Sequence, residues 1–230
     1  MCFHDNLSKR ITIAIDGPAG AGKSTLARRI AAKLGFVYVD TGAMYRAVAL
    51  WALRTKVKPS DMHRLEQLAN AAHIEFVPGD HAVLLNNEDV TEAIRTLEVS
   101  QTASEVSMVP AVRRAMVQKQ REMGEQASVV MEGRDIGTVV FPQATVKIFL
   151  DALPEERATR RANETAQPSD VVAREIQERD QRDRSRPESP LVQAPDAVYV
   201  DTTGLTIDEV EAAILKIIRD RTSNGRERTQ

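Results

Sequence analysis

Much of what this chain can be is limited by what it lacks. Cys2 is the only cysteine in 230 residues, which rules out an intramolecular disulfide and a cysteine metal cluster. Aromatic residues make up 4% of the chain, and the basic residues interleave with acidic ones. Stacking surfaces and a basic stripe, the usual marks of a nucleic-acid binder, are therefore missing. The net charge of −2 supplies no global field toward polyanions. No apolar run approaches the roughly 20 residues of a membrane span, and the first ten residues are too polar for a signal-peptide core. His4, His63, His73 and His81 fall outside every motif, and no internal repeat occurs. A soluble, cytoplasmic, monomeric protein with no membrane or nucleic-acid partner is expected.

What is present begins with a β-branched run at 11–15, followed by Asp16-Gly17-Pro18-Ala19-Gly20-Ala21-Gly22-Lys23-Ser24-Thr25 and then a helical pattern over 26–34. Strand, glycine loop and helix in that order make G-x-x-x-x-G-K-[ST] a phosphate-binding loop. Glycines let backbone N–H groups turn toward an anion, and the helix adds its positive N-terminal end. Gly17 to Thr25 would cradle a nucleoside triphosphate, Lys23 would reach its terminal phosphates, and Ser24 would ligate Mg²⁺. ATP and Mg²⁺ are the expected cofactors.

Further apolar runs at 36–40, 128–131, 145–151 and 197–201 alternate with helical patterns. This alternation predicts an α/β fold, a five-stranded parallel sheet between helical layers. The stretch 60–97 breaks it with a helix over 61–72, strands at 73–78 and 82–86 around a Gly79-Asp80 turn, and a short helical turn at 91–95. Two helices follow, around 99–107 and 109–123. Charged helices at 154–164 and 170–185 flank a breaker at 165–169. A last helix is expected over 206–219, and a disordered tail over 221–230.

Ligands of parallel sheets bind beyond the carboxyl ends of the strands. Polar groups stand there at Asp16, at Asp40-Thr41, at Glu132-Gly133-Arg134-Asp135 and at Asp151. Asp16 and Glu132 are candidate Mg²⁺ ligands, because that ion takes oxygen donors and keeps much of its water. Arg46 and Arg134 lie near the strand ends, where a second phosphate could be gripped. Arg157, Arg160 and Arg161 share one helix face, and Arg179, Asp183 and Arg186 share another. Two such helices around a breaker fit a closing lid whose arginines neutralise migrating charge.

Together with the phosphate loop, Asp40-Thr41-Gly42-Ala43-Met44-Tyr45-Arg46, Glu132–Pro142 and Glu178–Arg186 closely resemble the bacterial cytidylate kinases, over about residues 11–220. The resemblance implies a P-loop kinase αβα sandwich with a nucleotide-side subdomain inserted at 60–97 and a lid over 153–186. It implies transfer of the γ-phosphate of ATP to CMP or dCMP. On this pattern Thr41, Arg46 and Arg134 hold the acceptor phosphate, and Ser104, Arg113 and Asp135 read cytosine. Arg179 and Asp183 meet the sugar, Arg186 meets the phosphates, and Arg160 and Arg161 serve the ATP side. Cytosine offers an amino donor and two acceptors, so a reader needs both kinds of group, which Asp135, Arg113 and Ser104 supply. Other small-acceptor kinases, for uridylate or dephospho-coenzyme A, and a nucleotide switch are the alternatives. A GTPase switch would need an N-K-x-D segment, which the chain lacks.

Overall fold

In the computed structural model, which describes residues 10–77, 82–165 and 168–227, five strands form one parallel sheet. They are β1 (Thr12–Asp16), β2 (Val37–Asp40), β6 (Val129–Gly133), β7 (Val146–Asp151) and β8 (Val198–Asp201), in the order β2-β6-β1-β7-β8. The period of two along each strand builds both cores. Ile13, Ile15 and Val130 point to one face, where α1 (Lys23–Leu34) and α8 (Ile207–Glu227) bury Leu26, Ile30, Val210 and Ile214. Ala14, Val129 and Met131 point to the other, under α2 (Thr41–Arg54), α4 (Leu97–Val106) and α5 (Pro110–Gln126). Each fully buried Ile or Met contributes about 1.5–3 kcal/mol. The expected three-layer α/β sandwich is present.

Register then aligns the strand ends. Asp16 lies opposite Gly133, Asp40 opposite Glu132, and Asp151 opposite Asp201, so the polar ends share one edge of the sheet. Thr41-Gly42 is already the first turn of α2, because Asp40 caps that helix by accepting from the Ala43 N–H at 2.9 Å.

Residues 62–95 hold α3 (Met62–Ala71), β3 (Ile74–Phe76), β4 (Val83–Leu85), β5 (Glu88–Asp89) and a 3₁₀ turn at Ala93–Arg95. The Gly79-Asp80 turn lies outside the described residues. β5 adds a third antiparallel strand where sequence patterning predicts two. It pairs with β4 across a two-residue turn, Asn86-Asn87, with φ of 50° and 69°. Asn tolerates that left-handed backbone, which matches the twist of a hairpin. Leu65, Ile74, Val83 and Leu85 join the same buried cluster as the main sheet.

The charged helices are α6 (Pro154–Thr165) and α7 (Ser169–Ser185). They pack through Ala158, Ala162, Val172 and Ile176, with Ala19 of the phosphate loop against that cluster. α8 runs past the expected break to Glu227, and within it the Thr222 hydroxyl bonds back to the Ile218 and Arg219 carbonyls. Residues 228–230 lie outside the described residues.

Candidate active site

The phosphate loop turns on glycines that tolerate no side chain. Gly17, at φ 149°, lies so close to β7 that a Cβ would sit 2.0 Å from the Leu150 carbonyl oxygen. A Cβ on Gly20, at φ 76°, would come within 2.7 Å of the Arg157 carbonyl oxygen. The loop is thus moulded between β7 and α6 before any ligand enters. Ala19, Gly20, Gly22, Lys23, Ser24 and Thr25 line a cleft above the strand ends. Gly17, Pro18 and Ala21 shape the loop from behind. Ala21 is buried in the core, and the Pro18 carbonyl accepts from Lys23 Nζ at 2.6 Å.

Opposite the loop, Thr41, Arg46, Ser104, Arg113, Arg134 and Asp135 line the same cleft, and α7 covers it with Arg179, Asp183 and Arg186. Seven basic side chains face four acidic ones there, in a chain whose net charge is −2. The cations disturb one another. Burial and the neighbouring Arg134 push Lys23 down to about 7 and Arg179 down to about 10. Burial and Arg113 likewise lower Arg186, whose Nε and Nη2 are buried without hydrogen-bond partners. A surplus of buried positive charge is costly unless an anion completes the site.

The acids are spoken for in different ways. Asp135 accepts from Arg113 at 2.7 Å in a buried pair, and Arg113 lies over the Tyr45 ring at 5.4 Å. Asp183 accepts from Arg134 Nε at 2.9 Å. Asp40 caps α2 and accepts from Arg46 at 2.9 Å; burial would lift its pKa, but Arg46 holds it below the usual range. Glu132 accepts from the Tyr38 hydroxyl at 2.7 Å, and its own carbonyl accepts from Thr41. Burial and the nearby Asp40 raise its pKa, with Lys23, Ser24 and Tyr38 acting in the opposite direction. A buried carboxylate beside the Ser24 hydroxyl is a fitting oxygen donor for Mg²⁺. Among the described residues no group of three or more His, Cys, Asp or Glu could cage a metal alone.

Besides Gly17, Pro18 and Ala21, two expected site residues are not brought to the cleft. Asp16 turns both carboxylate oxygens to backbone N–H groups, of Ile136 at 2.8 Å and of Gly137 at 2.7 Å. It anchors the π-helical turn Ile136–Val140 beyond β6 and does not line the cleft. Arg160 is pinned to the end of β8, donating to the Thr202 hydroxyl and carbonyl at 2.8 Å each, and to Glu156. Arg161, one residue on, lines the cleft. Arg157, on the same helix, is buried and binds Asp180 at 2.5 Å and the Ala19 carbonyl at 3.0 Å. Asp180 accepts in turn from the Ala19 N–H at 3.2 Å. This pair ties α6 and α7 to the phosphate loop.

Sequence reasoning missed Tyr45, Ser100, Ala103 and Ser107, which also line the cleft. Ser100, Ala103, Ser104 and Ser107 are spaced i, i+3, i+4 and i+7, a face of small residues that was legible as a pattern but carries no apolar signal.

The cytidylate kinase family model matches residues 13–220. A cytidylate kinase of Solibacter usitatus is 63% identical over 230 residues, covering 97% of this chain and 98% of its own. One of Desulforamulus reducens is 52% identical over 209 residues, covering 88% and 94%. A solved gluconokinase structure from Sinorhizobium meliloti superposes with a TM-score of 0.52 at 15% identity, covering 96% of this chain and all of that one; this likeness concerns the fold alone. With a phosphate loop facing a second cationic subsite, and relatives matched from end to end, the chain belongs to the cytidylate kinase family.

Proposed function

We propose that the protein transfers the γ-phosphate of Mg·ATP to CMP or dCMP, forming ADP and CDP or dCDP. The observation that carries this reading is the shared cleft, lined by a phosphate loop, by the Arg113–Asp135 pair and by seven basic side chains that include Lys23 and Arg113. Lys23 and the loop amides would hold the donor phosphates. Thr41, Arg46 and Arg134 would grip the acceptor phosphate, and Ser104, Arg113 and Asp135 would present donors and an acceptor to the cytosine edge. Arg179 and Asp183 would meet the sugar. Arg186 and Arg161 would close on the charge that spreads over the transferred group. Mg²⁺, arriving with ATP, would neutralise phosphate charge and orient its oxygens; Ser24 and Glu132 are the residues suited to hold it.

The described histidines, His63 and His73, do not line the cleft. A direct in-line displacement asks for no histidine, because positioning and charge stabilisation supply the catalysis. We read residues 60–97 as the acceptor-side subdomain and 153–186 as the lid, which excludes water as it closes. No helix among the described residues is long and apolar enough to cross a membrane, and a cytoplasmic monomer is the assembly proposed. Coupled ADP-release assays with CMP, dCMP, UMP and AMP, and with no acceptor, test the reading. The expected result is rapid turnover with CMP or dCMP and little without acceptor. Preference for AMP, or equal turnover with no acceptor, refutes it.

A further inference from the structure

One arginine of α7 reaches past the cleft instead of into it. Arg182 stands beside Asp183, and its Nη1 donates to the Ser104 hydroxyl on α4 at 2.9 Å. Its Nε donates to the Glu178 carbonyl one turn back, at 3.3 Å. The half-buried guanidinium therefore spans two walls of the cleft, α7 above and α4 at the side.

The chemistry of this contact fixes a direction. A guanidinium has only donors, so the Ser104 oxygen must be the acceptor. The serine proton is then left to be given elsewhere. No hydrogen bond from the Ser104 hydroxyl to a protein acceptor occurs among the described residues, although Ser104 lines the cleft. The neighbouring Ser107 hydroxyl is turned away, donating to the Ser104 carbonyl at 2.8 Å. The Ser107 carbonyl, in turn, accepts from Arg113 at 3.3 Å, and Arg113 holds Asp135. The end of α4 is thereby linked to the groups proposed to read the base.

We infer that Arg182 is a positioning residue for the acceptor nucleotide. It fastens α7 to α4 and polarises Ser104 so that the serine O–H is donated to an acceptor atom of the bound nucleotide. The inference rests on the CMP/dCMP reading of the cleft. It also makes the contribution of Ser104 conditional on Arg182: without the guanidinium the hydroxyl can rotate, accept as readily as donate, and lose its hold on the ligand.

A double-mutant cycle tests this by steady-state kinetics. Arg182→Ala is expected to raise the KM for CMP roughly ten-fold, the scale of one hydrogen bond involving a charged group. The kcat and the KM for ATP should stay within about two-fold. The double variant Arg182→Ala/Ser104→Ala should be no worse than Ser104→Ala alone. Arg182→Lys, a donor without an acceptor, should recover most of the loss. If the two losses multiply in the double variant, or Arg182→Ala changes KM for CMP and for ATP alike, the inference is overturned while the functional reading stands. A wild-type protein idle with both CMP and dCMP overturns both.

Discussion

Removing the carboxylate of Asp135 leaves Arg113 without its hydrogen-bonded counter-ion, with only the more remote Asp183 to offset its charge. The two side chains are 8% and 3% exposed and 2.7 Å apart, so water replaces the lost partner poorly. Deleting one member of such a pair costs about 3–5 kcal/mol. Arg113 keeps its bond to the Ser107 carbonyl and its place over Tyr45, which argues for the lower end, about 3 kcal/mol. For a chain of this size that is a fall in melting midpoint of roughly 6–12 °C. The double variant Arg113→Met/Asp135→Ala removes the stranded charge and fills part of its volume, so it should be more stable than Asp135→Ala, while both lose affinity for CMP. Thermal melts read the first effect and the KM for CMP the second. If Asp135→Ala melts within 2 °C of wild type, or the double variant is the less stable, the pair is not the buried, mutually dependent unit described above.

Two more outcomes follow from residues that the fold reassigns. Arg161→Ala should lower kcat by about 10² or more, the scale of one lost donor at a developing charge, whereas Arg160→Ala should leave kcat within about two-fold and lower the melting midpoint; equal kcat losses would refute this division of labour. Asp16 has its pKa raised from 3.8 to about 6, because burial outweighs its two backbone N–H bonds. A carboxyl raised in the folded state stabilises most below its unfolded pKa, and that stability is lost as pH rises from about 4 through 6. Asp16→Asn cannot ionise, so its stability relative to wild type should improve by up to about 3 kcal/mol between pH 4 and 7; denaturant titrations showing no such drift would refute it.

Much of the fold was legible because its signals are local. The β-branched run at 11–15 marked β1, and the glycine loop and helical pattern that follow it marked the turn into α1. The hairpin strand β5 was missed because two residues are too few to show a period. Its turn, Asn86-Asn87, was the available sign. At the site, the helical spacing of Arg157, Arg160 and Arg161 grouped them correctly on α6 but could not say where each would go. One is buried beneath the phosphate loop, one is tied to Thr202, and one faces the cleft. Arg182 lay within a recognisable motif, yet its partner Ser104 is 78 residues away, a separation that no local pattern spans.

What the sequence determined by itself was the phosphate loop, the order of strands and helices, and the residue types that chemistry on phosphate requires. Glycine conformations, capping and side-chain periodicity act within a few residues, so they can be read without a fold. Only the tertiary structure decided that Asp16 anchors a turn, that Glu132 is the acid left beside Ser24, and that seven basic groups outnumber four acids in one cleft. The reason is physical: the fate of a charge depends on burial and on neighbours within a few ångströms, and those neighbours arrive from distant parts of the chain.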